Sequence, residues 1–487
     1  MAKILLTPSY FYRLDPKQWK TAQPYPPLGT LYAAAVLREA GHRVSLFDSH
    51  LALGPEEIQP FLEKEKPDYL VVYDDGFNYL TKMCLTNMRE AAFRLASFGK
   101  DKGCTVIISS SDATDHPEKY LSEGANYVIL GEGEITLREL ITTLESPAKA
   151  VKDVAGIACM TEEGVYVSSQ RSVLRDLDSL PQAAWDLIDI RPYRSIQEKK
   201  HGYFSLNIAT TRGCPFKCNW CAKPIYGNRY HSRSPEKVAD EIEMLIQKFD
   251  VNYFWMCDDI FGLKPGWVQA FRDEVRRRNL SFRYKIQSRV DLLLEGDTLD
   301  ALAGSGLDTV WVGAESGSQK ILDAMDKGTK VEQIFETRRL LGRKGIKVGF
   351  FLQFGYLGET REDIQKTLDM VLELMPDEIG ISVSYPLPGT KFYEKVKSQL
   401  GTKANWKDSD DLAMMFRSEF SPHYYKRLHR YVHKIYRRKQ GWESLRKIFS
   451  ASGKVKSPQI RAALSTLYYI PTSIVDKIQL TKLERMR

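Results

Sequence analysis

The chain alternates short apolar runs with amphipathic stretches over most of its length. Between residues 1 and 146 the apolar runs are Ile4–Leu6, Val44–Phe47, Tyr69–Tyr73, Val106–Ile108 and Tyr127–Leu130. Helical patterns lie between them, such as Leu28–Ala40, which stops at Gly41, and Tyr79–Ala96. Continuous apolar strands separated by helices predict a parallel sheet covered on both faces. The expectation is an α/β fold whose first domain, 1–146, is flavodoxin-like (Rossmann-like). Such sheets bind ligands beyond the carboxyl ends of their strands. Residues 147–200 read as a connector. Gly156–Ser169 alternates like a hairpin around Glu163-Gly164, and Leu180-Pro181 and Arg191-Pro192 are extended breaks. From 201 to 395 the alternation resumes at Phe204–Ala209, Tyr253–Cys257, Tyr284–Gln287, Thr309–Gly313, Lys347–Gln353 and Glu378–Val383. These six units predict a partial (β/α)6 barrel of the TIM type, with its site at the strand carboxyl ends. Residues 396–487 predict a helical carboxyl-terminal region.

Hydrophobic residues make up 43% of the 487 positions and charged residues 27%, the balance of a globular chain. No run of about 20 apolar residues predicts a membrane span. Ile4–Leu6 is too short for a signal-peptide core, and Pro8 interrupts it. A cytoplasmic protein is therefore expected. The net charge of +8 conceals an asymmetry: from residue 421 onward, 16 Lys or Arg face only 3 acids. There Tyr424, Leu428, Tyr431, Val432, Ile435 and Tyr436 form a helical stripe, with Lys426, Arg427, Arg430, Lys434, Arg437 and Arg438 on most remaining positions. Two readings stay open. The stripe packs on the barrel, or it docks peripherally on the inner face of an anionic membrane. No nucleic acid partner is expected, because no RNA-binding module accompanies the tail.

The seven cysteines stand at 84, 104, 159, 214, 218, 221 and 257. Three cluster in Arg212-Gly-Cys214-Pro-Phe-Lys-Cys218-Asn-Trp-Cys221, directly after the first barrel strand. Thiolates on one short loop suit an iron–sulfur cluster or zinc. A structural zinc closes with four ligands, so zinc would need His201, His231 or Cys257 as the fourth. The spacing C-x3-C-x2-C with Trp220 before the last cysteine resembles the signature of radical S-adenosylmethionine (SAM) enzymes. That resemblance implies a [4Fe–4S] cluster on Cys214, Cys218 and Cys221, whose open iron binds SAM. One electron then cleaves SAM to methionine and a 5′-deoxyadenosyl radical. It also implies SAM contacts at Trp220, at Asp258 after the second strand, and at Arg289 ending the third. Glu315 ends the fourth and would meet the ribose, and Gly355 follows the fifth and would border the adenine. The plainer alternatives are helix-terminal acids at Asp258, Asp259 and Glu359, and an Arg289–Asp291 pair.

The first domain extends the likeness. Tyr25-Pro-Pro-Leu-Gly29-Thr30-Leu31, Ala125–Thr136 with its Gly131-Glu-Gly133-Glu134 turn, and Leu177-Asp-Ser-Leu-Pro181 resemble the B12-binding radical SAM family. That family includes the anaerobic magnesium-protoporphyrin ester cyclases and cobalamin-dependent methylases. The implied cobalamin contacts are Pro27, Leu28, Gly29 and Thr30, Asp74–Phe77, Ser109, Ser110, Ser111 and Asp112, and Gly131, Glu132, Gly133 and Glu134. The loop Ser9–Lys17 has no histidine, which implies cobalt without a histidine ligand from that loop. The alternative is a domain that only scaffolds. The resemblance implies methylation of an unactivated carbon of a small molecule by methylcobalamin, with a flavodoxin- or ferredoxin-type electron donor. An apolar substrate is the expectation drawn from the tail. Ring formation on a porphyrin-like substrate is the alternative within the family. A methylthio-transferring relative would need further cluster cysteines, and Cys84 and Cys104 make no such set. The rival from another class is a zinc-stabilised binding protein with a basic arm. No P-loop, H-E-x-x-H or G-x-S-x-G motif occurs.

Overall fold

The computed structural model describes residues 1–83, 85–146, 149–450 and 457–485; Cys84 lies outside them. The first sheet contains β1 (Lys3–Thr7), β2 (Arg43–Leu46), β3 (Tyr69–Tyr73), β4 (Thr105–Ser109), β5 (Tyr127–Ile129), β6 (Ile157–Thr161) and β7 (Gly164–Val167). Its order is β2-β1-β3-β4-β5-β6-β7. Strands β1 to β5 are parallel, and β3 is buried along its whole length, as its Tyr-Leu-Val-Val-Tyr sequence requires. The hairpin β6–β7 pairs antiparallel with β5, so that part of the connector extends the first sheet.

The stretch Tyr79–Ala96 is broken. A short turn of helix, Tyr79–Lys82, capped by Asn78, precedes the long helix Thr86–Asp101. The break has a tertiary cause: the Thr86 and Asn87 N–H groups donate to the carbonyls of Trp406 and Lys407 at 2.8 and 3.1 Å.

The second sheet contains β8 (Leu206–Ile208), β11 (Tyr253–Met256), β12 (Arg283–Ser288), β13 (Leu307–Glu315), β14 (Lys347–Phe354) and β15 (Glu378–Val383). A two-residue ribbon, β9 (Thr211–Arg212) with β10 (His231–Ser232), brackets the cysteine loop. The order β15-β14-β13-β12-β11-β8 is all parallel, the partial barrel expected. Its helices are locally well specified. Ser234 caps Pro235–Phe249, and Thr360 with Asp363 forms a capping box on Arg361–Leu374.

Two long helices, Pro422–Ser450 and Ser457–Arg485, close the chain. In the first, Tyr424, Leu428, Val432, Ile435 and Tyr436 are buried in the barrel core, and the Tyr436 hydroxyl donates to the Pro376 carbonyl at 2.6 Å. This corrects the membrane reading of that helix, because its apolar stripe is already covered. The second helix is turned inside out. Thr466, Ser473 and Asp476 are buried, whereas Leu464, Leu467, Tyr468, Ile474, Val475 and Ile478 are exposed. Asp476 is paid for by Arg427 and Lys434 of the first helix, at 2.8 and 2.7 Å.

Candidate active site

The carboxyl edge of the first sheet faces the cysteine loop of the barrel. Between them is a narrow recess lined by Gly29, Tyr73, Asp74, Gly76, Ser109, Ser110, Ser111, Gly131, Glu134, Ile225 and Tyr226. Each loop here is fixed by its own hydrogen bonds. Asp75 accepts from the Gly29 N–H at 3.0 Å, which holds the turn of Pro27 and Leu28, and Thr30 donates to the Tyr73 carbonyl at 2.7 Å. Asp74 accepts from the Ser9 hydroxyl at 2.9 Å, and burial lifts its carboxyl to about 6. Ser110 caps the turn of helix that follows it, whereas the Ser109 and Ser111 hydroxyls make no hydrogen bond among the described residues. At Gly133 a Cβ would lie 2.7 Å from Tyr73 and 2.8 Å from the Ser109 hydroxyl, so only glycine fits. Hydroxyl donors and bare backbone along one sheet edge are a donor set that suits a flat macrocycle carrying amide side chains.

Glu132 and Glu134 reach from this edge to the barrel. Both pair with Arg212, Glu134 at 2.8 Å, and all three side chains are nearly inaccessible. Tyr32, Phe77 and Tyr226 surround the guanidinium with ring centroids 5.4–5.8 Å away. Glu132 also accepts from the Leu174 N–H. Its carboxylate is thus committed within the protein, as is the Gly131 N–H, which donates to Thr114 at 3.1 Å. A second bridge between the domains joins Lys82 to Asp259.

Cys214, Cys218 and Cys221 are free, half-buried thiols on the loop after β9. Burial raises Cys214 and pushes Cys221 up to about 12, and the neighbouring sulfurs add to both shifts. A bound metal would reverse this by claiming the thiolates. The loop is pinned at Asn219. Its N–H donates to the Met325 carbonyl at 3.0 Å, its side-chain amide to Ala324 at 2.7 Å, and it accepts from the Tyr356 hydroxyl at 2.6 Å. Gly213 has φ of +79°, and a Cβ there would sit 2.3 Å from the Arg229 carbonyl oxygen, so the turn into Cys214 requires glycine. Among the described residues, no three or more His, Cys, Asp or Glu side chains converge as on a single metal ion. Cys257 instead donates to the Ile208 carbonyl at 3.2 Å. A cubane holds its thiolates farther apart than one ion does.

The polar residues at the strand ends have definite partners. Asp258 accepts from the Thr210 N–H and hydroxyl at 2.7 and 2.6 Å and from the Thr211 N–H at 2.8 Å, so it anchors the backbone leading into the cysteine loop. Arg289 pairs with Asp291 at 2.8 Å and lies 3.8 Å over the ring of Phe216, inside the loop itself. Glu315 has a left-handed backbone, φ +57°, at a register shift in β13, the kind of strain that gathers at functional sites. Its carboxylate meets Lys327 at 2.7 Å. A Cβ at Gly313 would fall 2.4 Å from that ammonium group. The Trp220 indole N–H is buried without a partner among the described residues. Gly355, at φ +78°, has its N–H held by Glu359 at 2.6 Å, and burial lifts Glu359 to about 8.

Sequence reasoning overlooked Arg212, Asn219, Lys327 and Lys82. Asn219 sits inside the cysteine motif, and Arg212 is the unmatched cation beside it, so both carried a signal. Lys327 and Lys82 reach their partners only through the fold.

Residues 208–371 match the Radical SAM superfamily. That segment is a radical SAM domain, and the chain that carries it is an enzyme. It is similar to an uncharacterized methyltransferase of Pyrococcus horikoshii, 26% identical over 390 residues, covering 78% of this chain and 81% of that protein. It is similar also to the anaerobic magnesium-protoporphyrin IX monomethyl ester cyclase of Rubrivivax gelatinosus, 26% identical, covering 76% of this chain and 66% of that one. The fold resembles the radical S-adenosylmethionine methyltransferase TsrM from Kitasatospora setae, solved with cobalamin and a [4Fe–4S] cluster. The TM-score is 0.67 at 20% identity, covering 82% of this chain and 78% of that one. The cobalamin-dependent S-adenosylmethionine radical enzyme OxsB, with aqua-cobalamin bound, gives a TM-score of 0.75 at 16% identity, covering 100% of this chain and 75% of that one.

Proposed function

We propose that the protein is a cobalamin-dependent radical SAM methyltransferase acting on a carbon centre of a small molecule. The observation that carries the reading is the three-thiol loop, pinned by Asn219 and rooted by Arg212 to the loops of the first sheet. Cys214, Cys218 and Cys221 would hold a [4Fe–4S] cluster, and Ser109, Ser111 and the Gly29, Gly131 and Gly133 backbone would face cobalamin. When bound, the cluster supplies the electron that cleaves SAM, and methylcobalamin supplies a methyl group. The chain's own residues orient and exclude. Arg289 and the Glu315–Lys327 pair present fixed charges at the strand ends, where SAM would lie, and the unpartnered Trp220 N–H offers one donor. Asp258 and Asn219 fix the loop. The two sheets close on one another, so a reactive intermediate between them would be kept from water.

Anaerobic reconstitution with iron, sulfide, cobalamin and SAM, then reduction with dithionite and mass spectrometry, tests this. Four irons with both 5′-deoxyadenosine and S-adenosylhomocysteine support methylation, and Cys218→Ser is expected to lose both products. One zinc and no iron overturns the reading. The similarity to the porphyrin ester cyclase favours ring formation as a second reading, and deoxyadenosine alone would select it. An external flavodoxin- or ferredoxin-type donor belongs to either. Peripheral membrane contact now rests on the exposed apolar face of helix Ser457–Arg485. Flotation with anionic vesicles that persists after Leu467→Glu and Ile474→Glu would remove it.

A further inference from the structure

The inward face of the barrel holds a cation that the proposed chemistry does not use. Lys285 is the third residue of β12, and the register sets it beside Trp255 of β11 and Thr309 of β13. Only 8% of it is exposed. Its ammonium lies 4.1 Å from the Trp255 ring and 5.3 Å from the Tyr25 ring, and its one hydrogen bond among the described residues, 3.4 Å long, goes to the Gln23 side-chain oxygen. Among the described residues no carboxylate pairs with it. Burial brings its amine down to about 7, against the weaker pull of Glu378. A buried lysine without an acid is costly unless something anionic arrives to meet it.

The surface beside it is built to receive a flat body. On the same face, Gln287 pairs in register with Trp311, and Trp311 with Gly349. Trp311 stacks on Phe351 with centroids 4.7 Å apart. Two glycines make room: a Cβ at Gly349 would lie 2.5 Å from the Trp311 ring, and one at Gly380 would lie 3.3 Å from it. Trp255, Gln287, Trp311, Phe351 and Ser382 are only half-buried although they face inward, so they line open space. From Lys285 to Arg289, where the strand meets the cysteine loop, four residues span about 13 Å.

We propose that Lys285 anchors a carboxylate at one end of the substrate, whose flat or apolar body lies on Trp255, Trp311 and Phe351. The other end then points toward the cysteine loop. This rests on reading the barrel as the reaction chamber, and it replaces a purely apolar substrate by an amphiphilic acid. Calorimetric titration of the reconstituted protein tests it, with 2-naphthoate and octanoate as probes and the matching amides as neutral controls. At neutral pH each acid is expected to bind about tenfold or more tighter than its amide. Lys285→Met is expected to erase that preference and Lys285→Arg to keep it. Equal affinity of acid and amide in the wild-type protein, a preference that survives in Lys285→Met, or no binding of either acid at millimolar concentration overturns the proposal. The wild-type comparison decides even if the methionine variant fails to fold. Deoxyadenosine is measured on the same samples. SAM cleavage without acid preference sinks the Lys285 inference alone, and acid preference without SAM cleavage sinks the radical SAM reading alone.

Discussion

Replacing Arg212 with methionine strips the counter-charge from two acids that have nowhere to go. Glu132 and Glu134 keep 8% and 3% of their side chains exposed, and Glu134 contributes one oxygen to each of the two terminal guanidinium nitrogens. Breaking a buried pair by removing one partner costs about 3–5 kcal/mol. The three lost ring contacts add roughly 1 kcal/mol. The Leu174 N–H still satisfies one Glu132 oxygen, so about 4 kcal/mol is the expected total. Urea denaturation of the wild type, Arg212→Met and the triple variant with Glu132→Gln and Glu134→Gln measures it. The triple variant is expected to recover most of the loss, because it buries no net charge. The sign with pH is fixed as well. Burial already raises Glu132 against the pull of Arg212. Without Arg212, Glu132 would have a folded pKa still further above its unfolded one. Its protonated form then supports folding at low pH, and that support is lost as pH rises. The deficit of Arg212→Met should therefore be smallest near pH ~4 and grow toward neutrality. A variant within about 0.5 kcal/mol of wild type, or a deficit that ignores pH, refutes the reasoning.

Asn219→Ala removes the side-chain bonds to the Tyr356 hydroxyl and the Ala324 carbonyl, which keep their own bond to each other at 3.0 Å, and should cost about 1–2 kcal/mol. After reconstitution it should also retain less iron on gel filtration than the wild type, although all three thiols are present. Glu359, lifted to about 8 by burial, has a folded pKa above its unfolded value. Stability is therefore full below about pH 4 and falls by up to about 1.4 kcal/mol per pH unit as pH rises toward 8. Glu359→Gln should flatten that slope in urea titrations. Gly213→Ala, forced to φ +79° against the Arg229 carbonyl, should lose about 1–3 kcal/mol by the same measurement.

The period of the apolar runs made both sheets legible, because strands buried on two faces must be continuous in sequence. Tyr69–Tyr73 and Glu378–Val383 coincide with β3 and β15. The long helix after Tyr73 starts later than its sequence pattern predicts because Trp406 and Lys407, more than 300 residues away, hold its first N–H groups. The cysteine loop was visible as spacing. What the spacing could not carry was the fate of each polar neighbour. Asp258, Arg289 and Glu132 are the residue types a ligand would want, but strand ends also need anchors, and the fold gives these three protein partners. The tail misled for a related reason. A tyrosine stripe looks the same whether it faces lipid or a barrel, and only the second helix, polar inward and apolar outward, separates the two.

A six-stranded arc leaves a gap between its first and last strands, and here a loop of the other domain acts as the jamb. The Asn207 amide of β8 donates to the Pro26 carbonyl at 3.0 Å, Gln197 donates to Pro24 at 2.8 Å, and the Tyr25 hydroxyl meets Ser205 at 3.0 Å. The chamber wall is therefore shared property. Any swing of one domain away from the other uncovers β8, so admitting a bulky guest and sealing it in would be opposite strokes of one valve.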